Sequence, residues 1–153
     1  MYTVVLALHS LVRWAVLASA LFAAAVSWRG WLGGGPVTRR ARLGGVALVA
    51  SADTQVLLGL LLYFFLSPFT PARLADPVRA LSEPGFRYWG ISHPLTGLLV
   101  AAAAHAGSVL SRRAPDDASR HRRAAIAYGL ALLLAAAAVP WPFGHYGRPL
   151  WPF

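Results

Sequence analysis

The residues able to do chemistry in this chain are few, and they stand inside apolar segments. His9 and Arg13 lie four residues apart in Leu8-His9-Ser10-Leu11-Val12-Arg13-Trp14, so at helical spacing their side chains share one face. Asp53 and Gln55 interrupt a second apolar run, and His93 and His105 a third. Ionisable groups in such runs face a bundle interior or a water-filled cavity, because exposure to hydrocarbon is costly. Imidazoles on two helices at matched depth are the ligand pair that a flat iron macrocycle such as haem b takes, one nitrogen on each face. A guanidinium and a carboxylate at matched depth make an ion pair. Nothing resembles hydrolytic machinery: Asp53 has no second acid beside it to divide acid and base roles, and Walker, dinucleotide and zinc-protease motifs are absent. The chain has no cysteine, which excludes disulfides, thiolate catalysis, iron–sulfur clusters and covalently attached haem.

The elements that must position these groups are membrane helices. At 153 residues, 58% hydrophobic and 12% charged, with mean hydropathy +0.56, the chain is too apolar for a soluble domain of this length and reads as one membrane domain over residues 1–153. Apolar runs predict helices over about 3–27, 43–66, 93–110 and 122–139, the first and second long enough to cross a core of roughly 30 Å at 1.5 Å per residue. The start Met1-Tyr2-Thr3 has no basic n-region, so the first helix is expected to be retained. Trp28-Arg29-Gly30-Trp31 is expected to end it, followed by a basic connector of about fifteen residues. Ser67-Pro68 stops the second helix. Residues 69–88, proline-rich with a short surface helix expected over 74–81, form the only connector long enough to fold over a site as a lid. Ser92-His93-Pro94 is expected to open the third helix, with serine or histidine as cap and proline in the first turn. Pro140-Trp141-Pro142-Phe143 closes the fourth, and an aromatic tail follows.

Charge sets the orientation. All 14 basic residues are arginine, and the net charge is +9. Nine arginines (29, 39, 40, 42, 112, 113, 120, 122 and 123) fall in the first and third connectors, and four (73, 79, 87 and 148) on the other side. The positive-inside rule then predicts an up-down four-helix bundle with both termini on the outer, periplasmic side of a bacterial inner (cytoplasmic) membrane. Arginines in short loops between apolar runs argue for contact with the lipid bilayer and its anionic headgroups and against nucleic acid.

Depth sorts the polar groups. His9 lies roughly 9 Å below the outer surface, in one layer with His93, and Arg13 and Asp53 reach the midplane, where they are expected to pair beside Gln55. His105 lies nearer the cytoplasmic face, within reach of Asp53 or Gln55. Gly97, Ala101 and Ala104 follow His93 along one helix face and leave room for a ring. An outer haem would turn its propionates to Arg87, Tyr88, Arg148 and His145. The plainer alternatives are that His93 is a helix cap and His105 a helix–helix hydrogen bond.

LHSLVRW near the start, ADTQVLLGLLLYF in the second helix, a histidine opening the third helix with AHAG later in it, and the closing PWPF and GRPLW resemble a family of small bacterial four-helix membrane proteins labelled "cytochrome b". The resemblance covers most of the chain. It implies haem ligation by His9 and His93, with His105 as a further ligand. Two-haem members carry paired histidines 13–14 residues apart on each of two helices. Here helix one has only His9, and His93 and His105 are twelve apart, about 120° around the helix, so one haem is expected. The leading expectation is an electron carrier between a quinol or membrane dehydrogenase and an outer partner. Two rivals are a non-catalytic small subunit of a larger respiratory or photosynthetic membrane complex, homo- or hetero-oligomeric, and a small proton-coupled carrier using Arg13, Asp53 and His105. No inverted repeat or broken helix supports the carrier.

Overall fold

The computed structural model describes residues 1–67 and 75–151, and the described residues are helical with no strand. Four long helices dominate: α1 (Tyr2–Gly33), α2 (Arg39–Leu61, prolonged by a π-helical turn, Leu62–Leu66), α5 (His93–Arg112) and α6 (Asp117–Ala138). Between α2 and α5 lie two short helices, α3 (Pro77–Ser82) and α4 (Pro84–Arg87), and a second π-helical turn, Tyr88–Ser92. Three stretches, Tyr2–Gly33, Arg39–Leu66 and Pro84–Arg112, are long and apolar enough to cross a membrane. The fourth long helix opens on the charged run from Asp117 to Arg123, which shortens its apolar part.

α1 packs on α2 and α6, and α5 on α6 and α2, so the helices close a ring in the order α1, α2, α5, α6. The core between them is built from small side chains: Ala20, Ala23, Ala52, Ala104 and Ala131 around Val16, Leu48, Val100 and Tyr128. Small residues let helix backbones approach where lipid removes the hydrophobic drive to associate. Ser19 and Ser51 bridge α1 and α2 at 2.9 Å. The Tyr128 ring lies where a Cβ at Gly107 would stand and its hydroxyl where one at Gly45 would, so both positions suit glycine for this approach.

Helix ends depart from expectation where capping outweighs polarity. α1 continues through Trp28-Arg29-Gly30-Trp31, which are compatible with helix, and stops where Gly34 turns left-handed at φ 68°, a conformation open to glycine. Thr38 then accepts from the Ala41 amide at 3.2 Å and caps α2, so Arg39, Arg40 and Arg42 ride on the helix and the connector shrinks to residues 34–38. Asp116 likewise caps α6, accepting from Ser119 N at 2.8 Å, and the helix starts several residues before 122. The Ser119 hydrogen bonds hold the Asp116 carboxyl below the usual carboxylate range. Part of the expected 74–81 helix falls outside the described residues, as do Phe69 and Arg73, and α3 covers the remainder.

No cap opens the third expected helix. Chain from Pro84 to Arg112 is one helical rod, and Ser92 has ordinary helical angles and no capping bond. Pro94 has no N–H, so the carbonyl of Gly90, four residues earlier, lacks its helical donor. Tyr63 Oη supplies one at 3.0 Å. The π-helical turn next to it, closed by the His93 amide on Tyr88 O, admits the extra residue and rotates His93 relative to the preceding turn.

Candidate functional site

His9, His93, Arg13, Gln55, Gly97 and Arg148 line one cavity of about 190 Å³. It lies at the end of the ring where α1 and α5 begin and α2 and α6 finish. The His9 and His93 ring centroids are 6.2 Å apart, with planes inclined at 67°. His93 holds Nδ1 3.0 Å from the carbonyl of Ala138, on the last turn of α6. This puts the ring proton on Nδ1 and leaves Nε2 as the lone-pair nitrogen. His9 Nε2 is 3.2 Å from the Gln55 side-chain nitrogen on α2. Among the described residues, His9 Nδ1, Gln55 Oε1 and Arg13 Nε are buried with no partner. Three orphaned polar atoms in one cavity are unusual, since each carries a desolvation cost.

Arg13 is buried, 8% exposed, and the expected pairing with Asp53 is not found. Its Nη2 donates to the carbonyl of Leu150 at 2.6 Å, and Trp14 Nε1 donates to the same oxygen at 3.3 Å. Asp53 instead accepts from His105 Nε2 at 2.8 Å. Residues two apart on a helix point about 200° apart, so Gln55, turned toward His9 on α1, leaves Asp53 turned toward α5. Both side chains of the Asp53–His105 pair are about half exposed, 46% and 54%, on the outer seam of α2 and α5. The expected reach of His105 to Asp53 holds, but His105 does not line the cavity.

What closes the cavity end is the C-terminal segment. The Arg148 amide bonds Pro140 O at 3.0 Å, the Arg148 guanidinium stands 4.5 Å above the Trp89 ring, Trp151 stacks on Trp14 at 5.7 Å, and Tyr146 stacks on Tyr88 at 4.4 Å. Of the connector expected as a lid, residues 69–74 lie outside the described residues, and along α3 every residue with a described side chain is exposed. Arg87 and His145 are exposed and away from the cavity. Ala101 and Ala104, expected to leave ring space, do not line it; Ala104 is fully buried in the core. At Gly97 a Cβ would meet nothing within 4 Å.

Sequence reasoning missed Tyr63, Trp89 and the Leu150 carbonyl. Pro94 inside a helix signals that some donor must serve Gly90 O, which points toward a residue such as Tyr63 without naming it. A backbone carbonyl arriving from the tail leaves no sequence signal.

The chain matches no protein-family model, no curated protein and no solved structure. The chemistry is therefore read from the cavity. None of the five acidic residues lines it, so the Arg13 and Arg148 guanidiniums make it electropositive, suited to an apolar ligand with anionic or hydrogen-bond-accepting ends.

Proposed function

We propose that this chain is a small membrane electron-transfer protein that holds one haem b between His9 and His93. The observation that carries the reading is the 6.2 Å ring separation. Two imidazoles on opposite sides of one metal, each at a metal–nitrogen distance of about 2.0–2.1 Å, have centroids about 6.4 Å apart. His93 also has the outer-shell acceptor that ligating histidines carry, Ala138 O, and Gln55 would give His9 the same with its amide turned so that Oε1, which has no partner here, faces the ring. His9 keeps a second ring nitrogen buried and unused. Bound haem supplies one-electron redox chemistry. Arg13 and Arg148, which line the cavity, would neutralise the carboxylates of a bound haem, and the apolar walls Leu6, Leu60 and Leu98 would keep water from it. At about 190 Å³ the cavity is below the roughly 300–1,000 Å³ of drug-sized sites, so α1 and α5 must part to admit a macrocycle.

That volume favours a second reading, a quinone headgroup. A quinone ring needs less space, and Arg13 Nε and a histidine nitrogen would donate to its carbonyls. In either case the four long helices form an up-down membrane bundle. The arginine-rich connectors face the cytoplasm of a bacterial cell, and the His9 end faces outward.

The test is a visible spectrum of the purified full chain, oxidised and dithionite-reduced, with haem and quinone both quantified. A sharp reduced α band at one haem per chain, lost in His9→Ala and in His93→Ala, is expected. A folded, colourless protein expressed with ample haem refutes haem binding; extracted quinone at one per chain then selects the second reading.

A further inference from the structure

At the opposite end of the ring a second cavity of about 360 Å³ is lined by Arg29 and Gly33 of α1, Pro36 and Thr38 of the connector, Arg40 of α2 and His121 of α6. The five acidic residues of the chain are all engaged elsewhere. Asp53 meets His105, Glu83 meets Arg79 and Asp117 meets Arg120. Asp76 and Asp116 cap α3 and α6. Nothing acidic therefore neutralises Arg29 or Arg40, although other arginines of the chain have found carboxylates.

The cavity is also held open. His121 is 3% exposed; its ring packs so tightly against Gly30 that a Cβ there would overlap it, and Nε2 lies 3.3 Å from Pro36 O. This contact ties α6 to the connector and fixes the turn between Arg29 and Arg40. A Cβ at Gly33 or Gly35 would meet nothing within 4 Å, so the space beside the exposed Arg29 and Arg40 is open to an incoming group. Trp28 and Trp31, 5.0 Å apart on the last turns of α1, mark this level as the lipid–water interface.

We infer that this cavity binds a phosphate group, gripped by the Arg29 and Arg40 guanidiniums over the His121 floor. Guanidinium forks match phosphate oxygens in charge and geometry. Two sources carry that group at this level, the headgroup of an anionic phospholipid and free phosphate, and basic pockets between membrane helices on the cytoplasmic side commonly take headgroups.

The experiment titrates the purified full chain in neutral detergent with phosphatidylglycerol, phosphatidylcholine and inorganic phosphate, reading bound mass by native mass spectrometry and the thermal midpoint. Three variants accompany it: R29Q/R40Q; R39Q/R42Q, which removes the same charge outside the cavity; and G33L, which fills vacant space without changing charge. The expected result is one tight phosphatidylglycerol per chain, bound about thirtyfold more weakly by R29Q/R40Q at about fivefold per arginine, weakened also by G33L and retained by R39Q/R42Q. Displacement by millimolar inorganic phosphate, with phosphatidylglycerol no better than phosphatidylcholine, also supports the site and assigns free phosphate as its ligand. Equal losses in the two arginine double variants, or undiminished binding by G33L, overturn the inference and leave diffuse surface charge. If R29Q/R40Q fails to fold, G33L decides alone.

Discussion

Removing the Tyr63 hydroxyl should expose how Pro94 is accommodated inside a helix long and apolar enough to cross a membrane. Gly90 is buried, and because residue 94 is proline the N–H that α-helical spacing would bring to its carbonyl is missing; Tyr63 Oη donates to that carbonyl at 3.0 Å. Tyr63→Phe deletes that donor and little volume. A lost hydrogen bond costs about 1 kcal/mol in water-soluble proteins and about 0.6 kcal/mol on average between membrane helices, with a maximum near 1.7. The carbonyl left behind is buried, so the upper half of that range applies, about 1–1.7 kcal/mol. For a chain of this size, 1 kcal/mol corresponds to a thermal midpoint about 2–4 °C lower. Pro94→Ala restores a backbone N–H and lets the segment recover ordinary helical bonding, so in that background Tyr63→Phe should cost less than half as much. Comparing the four proteins in detergent isolates the coupling from any other loss at Tyr63. Equal costs of Tyr63→Phe with and without Pro94 would refute the account. Because the π-helical turn rotates His93 relative to the preceding turn, Pro94→Ala should also disturb ligand binding at His93 while Tyr63→Phe alone should disturb it less.

Gly107→Leu should lower stability by about 1–3 kcal/mol or more, since the added side chain meets the Tyr128 ring in a close-packed core. Gly97→Ala, whose Cβ enters open space in the cavity wall, should instead leave the midpoint unchanged or raise it, Gly to Ala in a helix being worth about 0.5–1 kcal/mol; matched effects at the two positions would contradict the packing described. Asp116→Ala should lower the midpoint at neutral pH by removing the α6 cap. Since the folded carboxyl titrates below its unfolded value, the stability that Asp116 contributes is present above the carboxylate range and lost as pH falls through the folded pKa. Wild type and variant should therefore converge in acid, and a gap that persists there would count against the cap.

Much of the helical plan was legible in the chain because hydrocarbon imposes it. Apolar runs of membrane length and the Gly33-Gly34-Gly35-Pro36 break are local signals that the backbone obeyed, and the second run ends with Ser67 extended. Boundaries at Thr38 and Asp116 were also local, a cap before each helix, yet charge in the following turn masked them, since arginine suits a helix as well as it suits a loop. Bringing His9 and His93 to one level followed from rise per residue alone.

Partner choice was not legible. Rise per residue puts Arg13 and Asp53 near one depth, but depth says nothing about rotation around the helix axis, and the structure turns Asp53 toward His105 and gives Arg13 a carbonyl of the tail. The Leu150 carbonyl, the Tyr63 hydroxyl and the Ala138 carbonyl come from residues 137, 27 and 45 positions away from the groups they meet. Sequence by itself determined which segments are helical and which polar groups share a layer, because those depend on hydrophobicity and helix rise. Only the tertiary structure decided which groups touch, because contact depends on helix rotation, on a π-helical turn that shifts the register by a residue, and on a tail whose backbone carries no pattern to read.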